Sequence, residues 1–170
     1  MKEVKFDECA NDILKQLPQG AFLNVKDKDG NVNTMTIGWG SIGWIWRKPI
    51  FTALVRHSRH TFGLIENADS FVVSFPFKDE LKDELGFCGT KSGRAHNKFK
   101  EAQLTPKSCV VNSPIIEECE FNVECKILYK EDMNKSNMLD SEIKGMFYPK
   151  DDYHMIYYGE IISCKRKLRV

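Results

Sequence analysis

Residues 33–61, NTMTIGWGSIGWIWRKPIFTALVRHSRHT, constrain the fold more than any other part of this chain. The segment opens with strand-like alternation, breaks at Gly40 and Gly43, resumes as a short apolar strand over 51–55, and ends in arginine, serine and threonine. Alternation with a period of two predicts a half-buried strand. Ser58 is well placed to cap a helix that runs from 58 or 59 to 67. The same order has a chemical reading. Glycine lets backbone amides approach a flat ring. Arginine, hydroxyls and the free amides of a helix start hold an anion. A flat aromatic ligand with a phosphate tail, such as flavin mononucleotide (FMN), needs those elements in that order.

Elsewhere the pattern is mostly strand. A short amphipathic helix is expected over 7–17, stopped by Pro18. Strands are expected over 21–25 and 32–39, joined by a turn in which Asp29-Gly30 supplies positive φ. Gly40 and Gly43 then loosen the chain into a tryptophan-rich loop that Pro49 ends. Further strands fall over 71–75 and, most clearly, 119–130, where Phe121, Val123, Cys125, Ile127 and Tyr129 alternate with polar residues. A last long strand covers 153–164. Short helices are expected over 78–87 and 97–102, a polar loop over 89–94, and a mobile loop over 133–149. Strands outnumber helices and follow one another through hairpins. The expected fold is therefore mainly β: a small, closed or partly closed antiparallel barrel with peripheral helices, one domain over 1–170. A doubly wound nucleotide fold is disfavoured, because no G-x-G-x-x-G follows a first strand.

Composition narrows the function. A formal net charge of +1 gives no field to gather nucleic acid or anionic lipid, and the basic run 165–169 reads as a solvated end. No apolar run reaches the ~18 residues of a membrane span. The charged N-terminus lacks an apolar signal core, which points to the cytoplasm. The six cysteines are scattered, with no C-x-x-C, and read as reduced core thiols; Cys119 and Cys125 would share a face of one strand. His57 and His60 have metal-like spacing but no third ligand nearby, so no metal is expected. Neither G-x-S-x-G, H-E-x-x-H nor a Walker loop occurs.

Arg56, Ser58, Arg59 and Thr61 fall within six residues and form the first anion candidate; the alternative is a simple cap beside solvated arginines. Thr36, Ile37, Gly38 and Trp39 could offer backbone groups to the polar edge of an isoalloxazine. Trp39 or Trp44 could cover a ring face, or simply fill the barrel core. Lys91-Ser92-Gly93-Arg94 is a second phosphate clamp candidate. His154 either lines a pocket or is a half-buried polar residue.

In order along the chain, N-x-M-T-x-x-W (33–39), Pro49, V-R-x-S-R-x-T (55–61), F-V-V-S-F (71–75) and F-C-G-x-K-S-G-R (87–94) resemble the flavin reductase-like proteins, and among them the flavoredoxin type. Residues 114–125 and 153–161 look like the family's late and closing strands, so the resemblance covers most of 20–164. It implies a Greek-key split β-barrel homodimer that holds FMN non-covalently near the subunit interface. It implies that Thr36, Ile37, Gly38 and Trp39 meet the ring, that Arg56, Ser58, Arg59 and Thr61 meet the phosphate, and that Lys91 and Ser92 close the site. His154 matches a family histidine near the pocket and is the candidate for an assisting role. The implied activity is electron transfer from NAD(P)H through FMN to flavin or a redox partner; the alternative is an electron carrier that does not use NAD(P)H. The loop 41–49 is bulkier than the family pattern and would narrow the approach of a nicotinamide ring.

Overall fold

A computed structural model describes residues 1–77 and 79–168. In chain order the elements are β1 (Lys2–Glu3), α1 (Phe6–Gln16), a 3-10 turn (Leu17–Gln19), β2 (Ala21–Lys26), β3 (Val32–Ile37), β4 (Gly40–Ile45), β5 (Lys48–Arg56), α2 (His60–Ile65), β6 (Ser70–Phe75), α3 (Lys82–Thr90), α4 (Lys98–Glu101), β7 (Pro106–Lys107), β8 (Ile115–Ile116), β9 (Phe121–Asp132), a second 3-10 turn (Lys135–Asn137), α5 (Ser141–Phe147) and β10 (His154–Arg166). Lys78 and Arg169, which the sequence assigns to a helix start and a basic end, lie outside the described residues.

The main sheet runs β3-β2-β6-β9-β10-β5-β4, with β1 on the far end of β10, and every pairing is antiparallel. Its two outer strands, β3 and β4, are joined by only Gly38 and Trp39. The sheet must therefore curl until its ends meet at that link. Among the described residues no ladder closes the gap, so the result is a split antiparallel barrel. Phe51, Phe71, Phe75, Phe121 and Tyr157 fill the interior, and Cys9, Ile13 and Leu17 of the N-terminal segment join the same core.

Alternation in β5 and β10 sorts their side chains between the core and the outer surface. Ala53, Val55 and Tyr157 face the core. Their neighbours Leu54, Arg56, His154 and Ile156 therefore face outward. His154 pairs with Arg56 and Ile156 with Leu54, so the four share one outer face. On another side, Phe22, Leu85, Cys88, Leu104, Ile116 and Cys119 make a small second core that holds α3 against β2. Thr36 Oγ donates to the Leu85 carbonyl at 2.6 Å, which fixes α3 over β3.

Several expectations change. Residues 40–49 are not a loose loop but a hairpin of β4 and β5, with Pro49 inside β5 where β10 no longer pairs. Its turn residues Trp46 and Arg47 both have positive φ, 53° and 58°, as a mirror-type two-residue turn requires. That turn normally carries Asn-Gly. Here the Trp46 ring instead leans on Tyr129 and Tyr158, with centroids 6.0 and 6.1 Å away. Helix α2 is shorter than expected and Ser58 does not cap it: Arg59 is the cap residue and makes no side-chain cap bond. Helix α3 passes through Gly86 and Gly89, and Thr90 Oγ donates to the Gly86 carbonyl at 2.8 Å. Residues 133–149 contain α5, which Asp140 caps through Glu142 and Ile143 amides at 2.8 and 3.0 Å. Cys119 precedes β9 and packs in the small core, while Cys125 lies in the barrel, so the two do not share a strand face. All six cysteines are free.

Candidate functional site

Two adjoining cavities open on the outside of the barrel near the β3–β4 seam. The first, about 190 Å³, lies between β3, the turn before α2 and the loop after α3. It gathers Ser58, Arg59, Thr61, Lys91 and Ser92. The second, about 150 Å³, is lined by Ile37, Gly38, Trp39, Leu54, Arg56 and His154. Met35, Thr36 and Arg59 line both. The ring-facing and anion-facing residues read from sequence thus sit on one continuous surface.

The first cavity is strongly one-signed. Arg59, Lys91, Arg94 and Lys98 line it and no carboxylate does. Lys98 is only 5% exposed. Its Nζ donates to the Cys88 carbonyl at 2.6 Å, and among the described residues no carboxylate lies within ion-pair distance. A buried cation without a counter-charge is costly, and burial pulls its pKa down. Arg59 makes only a long contact with the Gly89 carbonyl, 3.4 Å, which leaves most of its fork open. Arg94 donates to the Ser58 carbonyl at 3.3 Å, and its amide donates to Ser92 Oγ at the same distance. Asn33 Nδ2 donates to Thr61 Oγ at 2.8 Å. Burial, then the nearby charges of Arg94 and Lys98, lowers the pKa of His60 from its ordinary value.

Arg56 and Ser58 are differently engaged. Arg56 donates to the carbonyls of Asp152 at 2.5 Å and Phe147 at 2.9 Å, and its guanidinium lies 5.0 Å from the Tyr148 ring centre. Ser58 Oγ donates to an Asp152 carboxylate oxygen at 2.7 Å. Both residues tie segment 147–152 to the end of β5. Of the two tryptophans considered for a ring face, Trp39 lines the second cavity, with Phe147 edge-on at 4.9 Å and His154 at 5.3 Å. Trp39 is 40% exposed, so it does not fill the core. Trp44 stacks on Phe6 at 5.9 Å and lines neither cavity.

His154 lines the second cavity and is buried. Its Nδ1 is 2.9 Å from the Tyr148 hydroxyl, and Tyr148 stacks on Tyr153 at 4.3 Å. Burial, then the charge of Arg56, pushes its pKa down to about 4 from the usual 6.5. The ring is therefore neutral at neutral pH. The folded state refuses a proton that the unfolded chain accepts below pH 6.5, so this residue's contribution to stability is lost as pH falls from 6.5 towards 4. Between pH 7 and 5 the expected loss from this group is about 2 kcal/mol. Urea unfolding of H154Q should show a shallower acid limb than the parent. An unchanged limb would remove His154 as its cause.

Sequence reasoning did not single out Asn33, Cys88, Thr90 or Lys98. For Lys98 the only signal is its place one residue inside the helix that Asn97 caps, through a 3.1 Å bond to the Lys100 amide. Among the described residues no group of three or more His, Cys, Asp or Glu side chains could hold a metal ion. His57 pairs with Asp132 at 2.7 Å, apart from His60. No described helix is long and apolar enough to cross a membrane.

Residues 14–167 match the family described as flavin reductase like domain. An uncharacterized protein of Archaeoglobus fulgidus is 32% identical over 112 residues, which span 65% of this chain and 62% of that protein. The flavoredoxin of Desulfovibrio vulgaris (Miyazaki F) superposes with a TM-score of 0.68 at 21% identity, covering 87% of this chain and 69% of that one. An FMN-binding protein of Thermus thermophilus with bound 1-cyclohex-2-enone superposes with a TM-score of 0.66 at 21% identity, covering 86% and 69%.

Proposed function

This chain belongs to the flavin reductase-like family, and from that premise we propose that it holds FMN non-covalently across the two adjoining cavities and works as a cytoplasmic oxidoreductase. One observation carries the reading: four cations, one of them the buried and uncompensated Lys98, line a cavity without a carboxylate, next to a cavity floored by Thr36, Ile37 and Gly38. The residues fit the ligand. A phosphate dianion among Arg59, Lys91, Arg94 and Lys98 would supply the missing counter-charge. Backbone groups from Thr36 to Gly38 would meet a polar ring edge, and Trp39 and Leu54 an apolar one. A bound flavin supplies the electron-transfer chemistry; the protein orients and tunes it. His154, kept neutral, can hold a hydrogen bond on the ring side without bringing in a charge. Arg56 and Ser58 act through segment 147–152, whose Phe147 steadies Trp39.

In this reading electrons come from NAD(P)H and pass through FMN to free flavin or a redox protein. Trp44 and Trp46 line neither cavity. Leu54, Ile156, Tyr158, Tyr129 and Trp46 lie on or beside the outer face next to the ring cavity, with Tyr129 and Trp46 47% and 55% exposed. We assign that face to a second copy, giving a homodimer with FMN near the interface. The family match over 14–167 supports one domain across the chain.

The test is a visible absorption spectrum after incubation with FMN and desalting, followed by anaerobic addition of NADH or NADPH. Retained flavin bands that bleach rapidly are the expected result. Bands that bleach only with a reduced ferredoxin-type protein would make the chain an electron carrier. A colourless protein would overturn the flavin assignment.

A further inference from the structure

Tyr148 lines neither cavity, yet it touches the histidine that lines the second. It is 4% exposed, and among the described residues its hydroxyl makes one hydrogen bond, 2.9 Å long, to His154 Nδ1. Resting on the flavin reading, we propose that Tyr148 is a positioning residue: its hydroxyl keeps the His154 proton on Nε2 and so makes that ring a hydrogen-bond donor toward the flavin.

Three observations support it. The first is a shortage of acceptors. A buried hydroxyl needs somewhere to place its hydrogen. The Arg56 guanidinium, 5.0 Å from the Tyr148 ring centre, can only donate. The Asp152 carboxylate takes the Ser58 hydroxyl and amide, at 2.7 and 3.3 Å. The Tyr153 ring stacks on Tyr148 at 4.3 Å, but its hydroxyl is buried without a partner among the described residues. His154 Nδ1 is the acceptor that remains, so it carries no hydrogen. The second is the other ring nitrogen. In a neutral imidazole the hydrogen missing from Nδ1 sits on Nε2. No described residue accepts from Nε2, and the ring lines the second cavity beside Trp39 and Leu54, so the donor is offered to whatever fills that space. The third is the support. Arg56 holds the carbonyls of Phe147 and Asp152, on either side of Tyr148 in the chain, and itself pairs with His154 across β5 and β10. The Tyr148 amide donates to the Lys144 carbonyl at 3.0 Å, which ties the residue to the end of α5. The hydroxyl is thus aimed by fixed elements. A donor already aimed at the ring favours the form that carries more negative charge, which is the reduced one.

The experiment has two readouts, and the first needs no flavin. Heteronuclear NMR of protein carrying isotope-labelled histidine separates a bare ring nitrogen from a protonated one, with H154Q to assign the signals. At neutral pH His154 is expected to show a bare Nδ1 and a protonated Nε2. In Y148F, Nδ1 loses its partner and the other tautomer should appear. A protonated Nδ1 in the parent, or an unchanged tautomer in Y148F, overturns the proposal. The second readout is the midpoint potential of the FMN-loaded protein against free FMN, which gives the ratio of affinities for the reduced and oxidised forms. Y148F should weaken reduced FMN about tenfold more than oxidised FMN, a fall of about 30 mV for two electrons. A ratio that stays the same or moves the other way overturns the proposal. Y153F is the control: it removes a hydroxyl that has no partner, keeps the stack, and should match the parent in both readouts. The same change in Y153F as in Y148F would give the effect to the aromatic stack and overturn the assignment. If the protein takes up no flavin, the flavin reading fails by itself, and the His154 nitrogens of the flavin-free protein still decide whether Tyr148 sets the donor.

Discussion

Gly159→Ala is expected to destabilise the protein by about 3 kcal/mol. Gly159 lies in β10 opposite Phe51 of β5 and Ile127 of β9, at a register shift after Tyr158. A Cβ there would stand 2.6 Å from Phe71 Cζ and 2.7 Å from Cys125 Cβ. Neither can give way easily. Phe71 is a fully buried ring already packed edge-on against Phe51, with centroids 6.4 Å apart, and a Cβ moves only with its backbone. Gly43→Ala is the control, because a Cβ at Gly43 meets nothing within 4 Å. Urea unfolding of both variants measures the difference. A loss below about 1 kcal/mol at Gly159 would mean that the core relaxes around the methyl group and is looser than these contacts require.

Arg59→Ala is expected to weaken FMN binding about thirtyfold, roughly 2 kcal/mol, with little change for riboflavin, which lacks the phosphate. The two arginines near the site are not equivalent. Arg56 spends its fork on the carbonyls of Phe147 and Asp152, whereas Arg59 lines both cavities and makes one long contact. Arg56→Ala should instead loosen segment 147–152 and weaken both flavins alike, through Trp39. Fluorescence titration with the two ligands reads the contrast. If R59A weakened riboflavin as much as FMN, Arg59 would be acting on the ring or on the fold rather than on the phosphate.

The strands that build the barrel were legible because their alternation is set by burial on one side. β2, β3, β6, β9 and β10 fall within about two residues of their expected bounds. β4 was not legible: its turn uses Trp46-Arg47, and neither residue type announces positive φ. Thr36, Ile37, Gly38, Trp39, Arg56, Ser58, Arg59, Thr61 and the stretch 91–94 all line the two cavities, since each came from a short stretch that one element carries to the seam, whereas Trp44 lines neither. What sequence could not give is the grip on Arg56 and Ser58. It comes from Asp152, more than ninety positions along the chain. Lys98 escaped for a related reason. A lysine in a polar helix looks solvated until the fold lays the Cys88 carbonyl against it.

β10 is the last of the described strands in chain order and sits in the middle of the sheet. It pairs with β9 on one side, with β5 on the other and with β1 at its far end. About 98 residues separate the end of β5 from the start of β10, so at ordinary rates of synthesis β5 waits roughly 5–20 s for its neighbour. During that interval both β5 and β9 present unpaired backbone to whatever is near. On the ribosome this barrel is therefore an all-or-none object. Its earlier strands stay open to other nascent chains, and the second cavity gains its His154 wall only once β10 has begun to emerge.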